Sequence, residues 1–306
     1  MTTSLKIAAH AANDSQTNLS IDATGEAYGS LTPELVIALC GPIGSPLHET
    51  AVQMSNILGE FGYSTECIRL SSLIRINSDK TKKSLDTTSK FSEIQSLIDI
   101  GDELRSTYGS DILAKLAIAK ISADRKRKYG EFQDVAGEAG IESAKKIKNQ
   151  RICHIIDSVK NKAELDLLQL IYGEALFFIG VFSPLEIRST NLAKPGYLKP
   201  EEINKLIDTD SGEEFSHGQR VRDTFPRADF FLRTDYPVVG PLEGKALGQI
   251  TEKLRRFFDL IFRSAVITPT PEETAMYAAA SAARNSACLS RQVGAAVTSF
   301  NGELLA

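Results

Sequence analysis

From Glu34 onward, continuous apolar runs alternate with helical stripes. Leu35-Val36-Ile37-Ala38-Leu39-Cys40 contains no polar residue, the pattern of a parallel strand covered on both faces. It gives way to Gly41-Pro42-Ile43-Gly44-Ser45, after which Leu47, Ala51, Met54, Leu58 and Phe61 recur at steps of 4, 3, 4 and 3. Such steps draw one stripe along a helix. Ser45 is expected to cap that helix and Pro46 to open its first turn. Gly62 stops it, and Thr65-Glu66-Cys67-Ile68-Arg69-Leu70 predicts a second strand. Strand, glycine turn, helix and strand make one βαβ unit.

The alternation continues. Helical segments are expected over 93–128, a strand at Arg151–Asp157, a helix over 162–173 and a buried strand at Ala175–Phe182. Ser183-Pro184-Leu185-Glu186 has the form of an N-cap, a first-turn proline and a capping-box glutamate. A polar stretch, 188–227, precedes the strand Asp229-Phe230-Phe231-Leu232, and a helix over 243–263 carries Leu247, Ile250, Leu254, Phe257 and Ile261 on one face. These elements predict a three-layer α/β sheet over 34–240.

Thr268-Pro269-Thr270-Pro271 marks a joint, and Thr270, Pro271 and Glu273 repeat the cap design ahead of an alanine-rich helix. Gln292–Thr298 is expected to be a strand, with Asn301-Gly302 turning the chain back. The return strand has barely begun at Ala306, so a longer protein truncated early in its second domain is expected. Residues 1–32 are small and polar and predict a loose tail, followed by domains at 33–264 and 265–306.

Composition narrows the picture. The chain has 306 residues, 42% of them hydrophobic, enough for a real core and against general disorder. Its net charge of −4 gives no global case for nucleic-acid binding. No apolar run approaches membrane-spanning length and the start lacks a signal-peptide core, so no membrane partner and a cytoplasmic location are expected. The four cysteines, Cys40, Cys67, Cys153 and Cys288, never form a C-x-x-C pair, which suits a reducing compartment and offers no zinc cage.

The glycine turn is the first chemical candidate. A phosphate loop reads G-x-x-x-x-G-K-[ST], its amides holding phosphate oxygens and its lysine reaching the terminal ones. Here Gly41 and Gly44 are present, but Pro46 stands at the second-glycine position and Leu47 at the lysine position. No lysine occurs between Lys6 and Lys80. The turn is therefore either an anion receptor deprived of the transferring cation or simply a tight strand–helix connection.

Asp157, at the carboxyl end of a buried strand, can contact a magnesium ion or sugar, or can cap the next helix with Ser158. Arg105, Arg220 and Arg222 can close over a phosphate or can be solvated or ion-paired. The basic run from Lys120 to Arg125-Lys126-Arg127-Lys128 can touch a regulatory RNA or form an exposed charged helix face. His154 reads as a core histidine.

The last forty residues carry a more specific pattern. Ile267–Glu273, Ala275-Met276-Tyr277-Ala278 and Leu289-Ser290-Arg291-Gln292-Val293-Gly294-Ala295 resemble the opening of a cytidine/deoxycytidylate deaminase domain. More narrowly, the chain resembles bacterial anti-phage deoxycytidine nucleotide deaminases that carry a P-loop kinase-like domain ahead of the deaminase. Gly41–Gly44, Gly101–Arg105, Ile155–Lys160, Ile179–Phe182 and Gly218–Asp223 match that family's blocks in order, so the likeness covers about 34–306.

The resemblance implies a three-layer α/β/α P-loop kinase-like domain followed by the start of a cytidine deaminase-like domain. It implies hydrolysis of dCTP or dCMP to the deoxyuridine nucleotide in nucleotide-depletion defence, association into a homo-oligomer, and zinc held by His and Cys in H-x-E…P-C-x-x-C. Neither motif occurs here; they are expected beyond Ala306, so this chain is expected to hold no zinc and no deaminase catalytic residue. Ser290 and Arg291 are candidates for the substrate side. Gly41, Pro42, Ile43, Gly44, Ser45, Arg105, Asp157, Arg220 and Arg222 are candidates for nucleotide phosphate. The alternatives are an active nucleoside monophosphate kinase and a non-catalytic nucleotide- or RNA-binding module.

Overall fold

Five parallel strands form the sheet of the computed structural model, in the order β2-β3-β1-β4-β5. The structure describes residues 34–129, 151–193, 198–211, 221–289 and 291–305, without the side chains of Tyr129, Ser211 and Arg222. The strands are β1 (Leu35–Cys40), β2 (Ser64–Arg69), β3 (Ile152–Asp157), β4 (Leu176–Phe182) and β5 (Phe230–Arg233). Helix α1 (Leu47–Glu60) follows β1. Helices α2 (Leu70–Ile76), α3 (Lys90–Tyr108) and α4 (Ile112–Tyr129) lie between β2 and β3, and α5 (Lys162–Tyr172) between β3 and β4. After β4 come α6 (Leu185–Leu192), α7 (Pro200–Ser211) and the single turn α8 (Val221–Thr224); α9 (Glu243–Phe262) and α10 (Pro271–Arg284) follow β5.

All six residues of β1 are buried, as its uninterrupted apolar run requires of a central strand. Its alternate side chains feed two layers. Val36, Ala38 and Cys40 join Leu73 and Ile74 of α2, Leu104 of α3, Leu113 and Ala117 of α4 and Leu165 and Leu168 of α5 in one core. Leu35, Ile37 and Leu39 are buried on the opposite face, where Met54, Ile57 and Leu58 of α1 are buried too. Gln53 of α1 accepts a hydrogen bond from Thr251 Oγ1 at 3.1 Å, linking α1 to the first part of α9. This is the expected α/β/α arrangement, with helices on both faces of a parallel sheet.

Contacts divide the chain into two units, Met1–Thr251 and Glu252–Ala306, the division falling inside α9. In the second unit α10 opens with the expected capping box. Thr270 Oγ1 accepts from the Glu273 amide at 3.2 Å, and Glu273 Oε2 accepts from the Thr270 amide at 2.9 Å. The predicted strand over 292–298 is not formed among the described residues, where the hairpin is reduced to a single antiparallel bridge, Thr298 to Leu304. Gly302, at φ +83°, makes its turn. A two-stranded ribbon is marginal by itself, which accounts for so little regular pairing.

The other two expected caps are not made. Helix α1 begins from Pro46 and α6 from Pro184, neither with a side-chain cap. Ser45 and Ser183 therefore stand one residue too early for their hydroxyls to reach the first-turn amides, and both Oγ atoms are buried without a hydrogen-bond partner among the described residues. Nor does Asp157 cap α5. Asn161 does, in a capping box with Glu164.

Candidate phosphate-receptor site

β1 and β3 are neighbours, but α1 and α5 leave their carboxyl ends for opposite faces of the sheet. Such a reversal opens a crevice outside the strand ends, where open α/β sheets bind ligands. The segment 41–45 lies there. A Cβ on Gly41 would meet the Val181 carbonyl oxygen of β4 at 2.4 Å, and one on Gly44 would meet that of Arg188 at 2.6 Å. Gly44 also has φ +83°, so glycine is required there on two counts. The turn is closed by Ser45 N–H donating to Pro42 O at 3.0 Å.

Two side chains of α6 hold the turn from outside. Arg188 Nε donates to Ile43 O at 2.7 Å, and Asn191 Nδ2 donates to Gly44 O at 2.9 Å. Burial pushes the Arg188 guanidinium below its ordinary pKa, while the nearby Asp210 carboxylate pulls it back.

The inner side of the turn already holds an anion. Ile43 N–H donates to Asp210 Oδ2 at 2.6 Å, a short charge-assisted bond. The other carboxylate oxygen, Oδ1, takes the ammonium of Lys160 at 2.5 Å. These side chains are only 1% and 13% exposed, respectively. The loop thus has a lysine beside it after all, supplied by the segment that follows β3. Val159 N–H donates to Leu39 O at 2.7 Å and draws that segment against β1. Behind it, Glu164 Oε2 accepts from the amides of Lys160 and Asn161, both at 3.2 Å. Cys40 lies within this field, and burial pushes its thiol up to about 12.

The predicted site residues divide by placement. The segment from Gly41 to Ser45 forms the turn that leaves the carboxyl end of β1. Asp157 ends β3 beside it; burial raises its carboxyl pKa, and the charges of Arg69, His48 and Lys160 only partly offset that. Arg69 donates to His48 Nε2 at 2.9 Å, and both line a groove of ≈ 300 Å³ with Cys67, Ser72 and Lys120. Arg105 is committed elsewhere, donating to Glu164 Oε1 at 2.8 Å and to Asp102 Oδ1 at 3.0 Å. Arg220 and Ser290 lie outside the described residues, as does the Arg222 side chain, although its backbone belongs to α8. Arg291 is exposed in the second unit.

Lys160 and Asp210 were not singled out from the sequence. Lys160 closes the Ile155–Lys160 block, three positions after the strand-end aspartate, and that position is its signal in the sequence. Asp210, on a polar helix, had none.

The basic run resolves largely into ion pairs. Lys120 and Arg127 pair with Asp124, Arg125 pairs with Glu34, and Lys128 with Glu66. His154 is a core residue, with Nε2 2.5 Å from Glu34. The segment that follows this run, residues 130–150, lies outside the described residues. Among the described residues no group of three His, Cys, Asp or Glu is placed to hold a metal. Among the same residues no helix is long and apolar enough to cross a membrane.

The described residues form a three-layer α/β/α sheet protein in which the amide of Ile43, in the turn after β1, donates to a buried carboxylate beside Lys160. No family model and no curated protein matches the chain. Among solved structures it is similar to TT1252 from Thermus thermophilus, at 14% identity and a TM-score of 0.35, over 77% of this chain and 100% of that one.

Proposed function

We propose that the first unit is a nucleotide-phosphate receptor that performs no phosphoryl transfer, and that it regulates a deoxycytidine nucleotide deaminase of the kind the sequence resembles. The observation that carries this reading is the Ile43 amide donating to a buried carboxylate. A loop amide that holds one compact anion beside a lysine has the chemistry to hold a phosphate oxygen. Leu47 at the transfer-lysine position supports receptor over kinase. The deaminase assignment is supported by the blocks at 267–295, with dCTP or dCMP as substrate and zinc as the metal of the deaminase chemistry. Calorimetric titration of the full chain with dNTPs tests the receptor: heat of binding that Gly44→Val abolishes is the expected result. No heat with any nucleotide would return the turn to a plain strand–helix connection.

One observation favours a second reading. Lys160 brings a positive charge to the loop, and Asp157 at the end of β3 stands where a magnesium-binding carboxylate would serve a nucleoside monophosphate kinase. A coupled ADP-release assay with dNMP acceptors separates the two. Turnover that Asp157→Asn abolishes would establish the kinase and overturn the receptor.

A further inference from the structure

We propose that Asp210 is a built-in competitor for the phosphate ligand. Its carboxylate fills the anion position of the β1 turn, Lys160 is the cation it borrows, and a nucleotide binds only when Asp210 is withdrawn. The inference rests on the receptor reading above and adds its regulation.

The argument begins with the two halves of the carboxylate. One oxygen takes a backbone amide of the turn and the other takes an ammonium, so Asp210 makes the pair of contacts that a terminal phosphate makes to a loop amide and a lysine. A carboxylate and a phosphate oxygen cannot share one amide hydrogen at this distance, and two anions against one lysine would repel. Occupation by either excludes the other.

The surroundings point to a larger guest. Ser45 Oγ, in the turn itself, is buried without a partner among the described residues. So is the hydroxyl of Ser183, fully buried just beyond β4, the strand beside β1. Orphaned buried hydroxyls are costly. A phosphate has more acceptor oxygens than a carboxylate, and the Ser45 hydroxyl, two residues from the Ile43 amide along the turn, lacks a partner of the kind such a group supplies.

The competitor is also placed to move. Asp210 lies in the last turn of α7, whereas Lys160 is fixed from behind by the bonds that Glu164 makes to its backbone segment. Withdrawal of one helix end frees the cation without disturbing the sheet. A ligand that must first displace a dominant internal anion pays for it in apparent affinity, in proportion to how rarely the site is open.

The test uses the full chain with dCTP and, separately, inorganic tripolyphosphate, which asks whether the phosphate chain alone suffices. Asp210→Asn keeps the shape and an acceptor for Ile43 but removes the charge. It is expected to bind dCTP about tenfold more tightly than the unaltered chain, and adding Lys160→Met is expected to abolish the gain. Tripolyphosphate should follow the same order; a gain confined to dCTP would overturn Asp210 as a phosphate competitor. If the unaltered chain binds dCTP and Asp210→Asn binds no tighter, the competitor is overturned while the receptor stands. If no variant binds either probe, both fall. A measurement on the unaltered chain guards against a variant that folds poorly: saturating dCTP should speed amide exchange in the last turn of α7, and unchanged or slowed exchange there would overturn the proposal.

Discussion

Arg105 Nε donates to Glu164 Oε1 at 2.8 Å between side chains that are 2% and 0% exposed. This ion pair, wholly inside the first unit, ties α3 to the start of α5. Removing one partner leaves an uncompensated buried charge, which costs about 3–5 kcal/mol. Arg105→Met should therefore lower stability by that order in urea unfolding. Arg105→Met combined with Glu164→Gln should recover part of the loss, because the stranded charge is gone. A single variant that unfolds like the unaltered chain would show the pair to be dispensable.

Two glycines should respond to alanine with opposite signs. At Gly44 the positive φ and the Arg188 carbonyl both oppose a Cβ, and a strained left-handed residue alone costs about 1–3 kcal/mol. At Gly59, inside α1, a Cβ would meet nothing within 4 Å, so alanine should stabilise by about 0.5–1 kcal/mol. Paired denaturation curves for the two variants check both signs at once.

Two carboxylates should give opposite pH dependences. For Glu34, burial raises the pKa, but the hydrogen bonds from His154 and Arg125 outweigh it and hold the group below 4.5. Its contribution is present above 4.5 and is lost as the pH falls through the folded value, so Glu34→Gln should flatten the acid side of the stability curve. For Asp157, burial raises the pKa above 3.8, so the advantage exists below 3.8 and is lost as the pH rises through the folded value. Asp157→Asn should thus raise stability at neutral pH. Urea midpoints measured across the acid-to-neutral range decide both.

In the second unit, Thr270→Ala removes the hydroxyl that accepts from the Glu273 amide, and loss of such a cap costs about 1 kcal/mol. Amide exchange over 271–284 should quicken accordingly. Arg256, which grips Glu273 at 2.7 and 2.8 Å on the surface, should matter less when replaced, since exposed pairs contribute little.

What the sequence revealed follows from which forces are local. The strands β1, β3 and β4 are legible because a centrally placed parallel strand must be largely apolar. The turn at Gly41 and Gly44 was legible because only glycine tolerates its backbone. The three Ser/Thr-Pro junctions show the limit. Their composition is alike, yet Pro271 stands at the first helical position and Thr270 caps, whereas Pro46 and Pro184 occupy the cap position themselves. A one-residue shift of the helix start separates a working cap from an orphaned hydroxyl. The meeting of Ile43, Lys160 and Asp210 was not legible at all, because parallel crossovers bring together residues far apart along the chain.

The sheet's margins have a consequence for how the protein behaves at high concentration. Unpaired strand edges invite other chains to add on, and cells must keep such edges from templating aggregates. Among the described residues one margin, β5, is only four residues long and ends in Arg233, while the other, β2, carries Glu66 and Arg69 among mostly accessible positions. A short rim and a charged rim each offer a poor seat to an incoming strand, so the apolar centre of the sheet is protected from open-ended stacking by the strands that flank it.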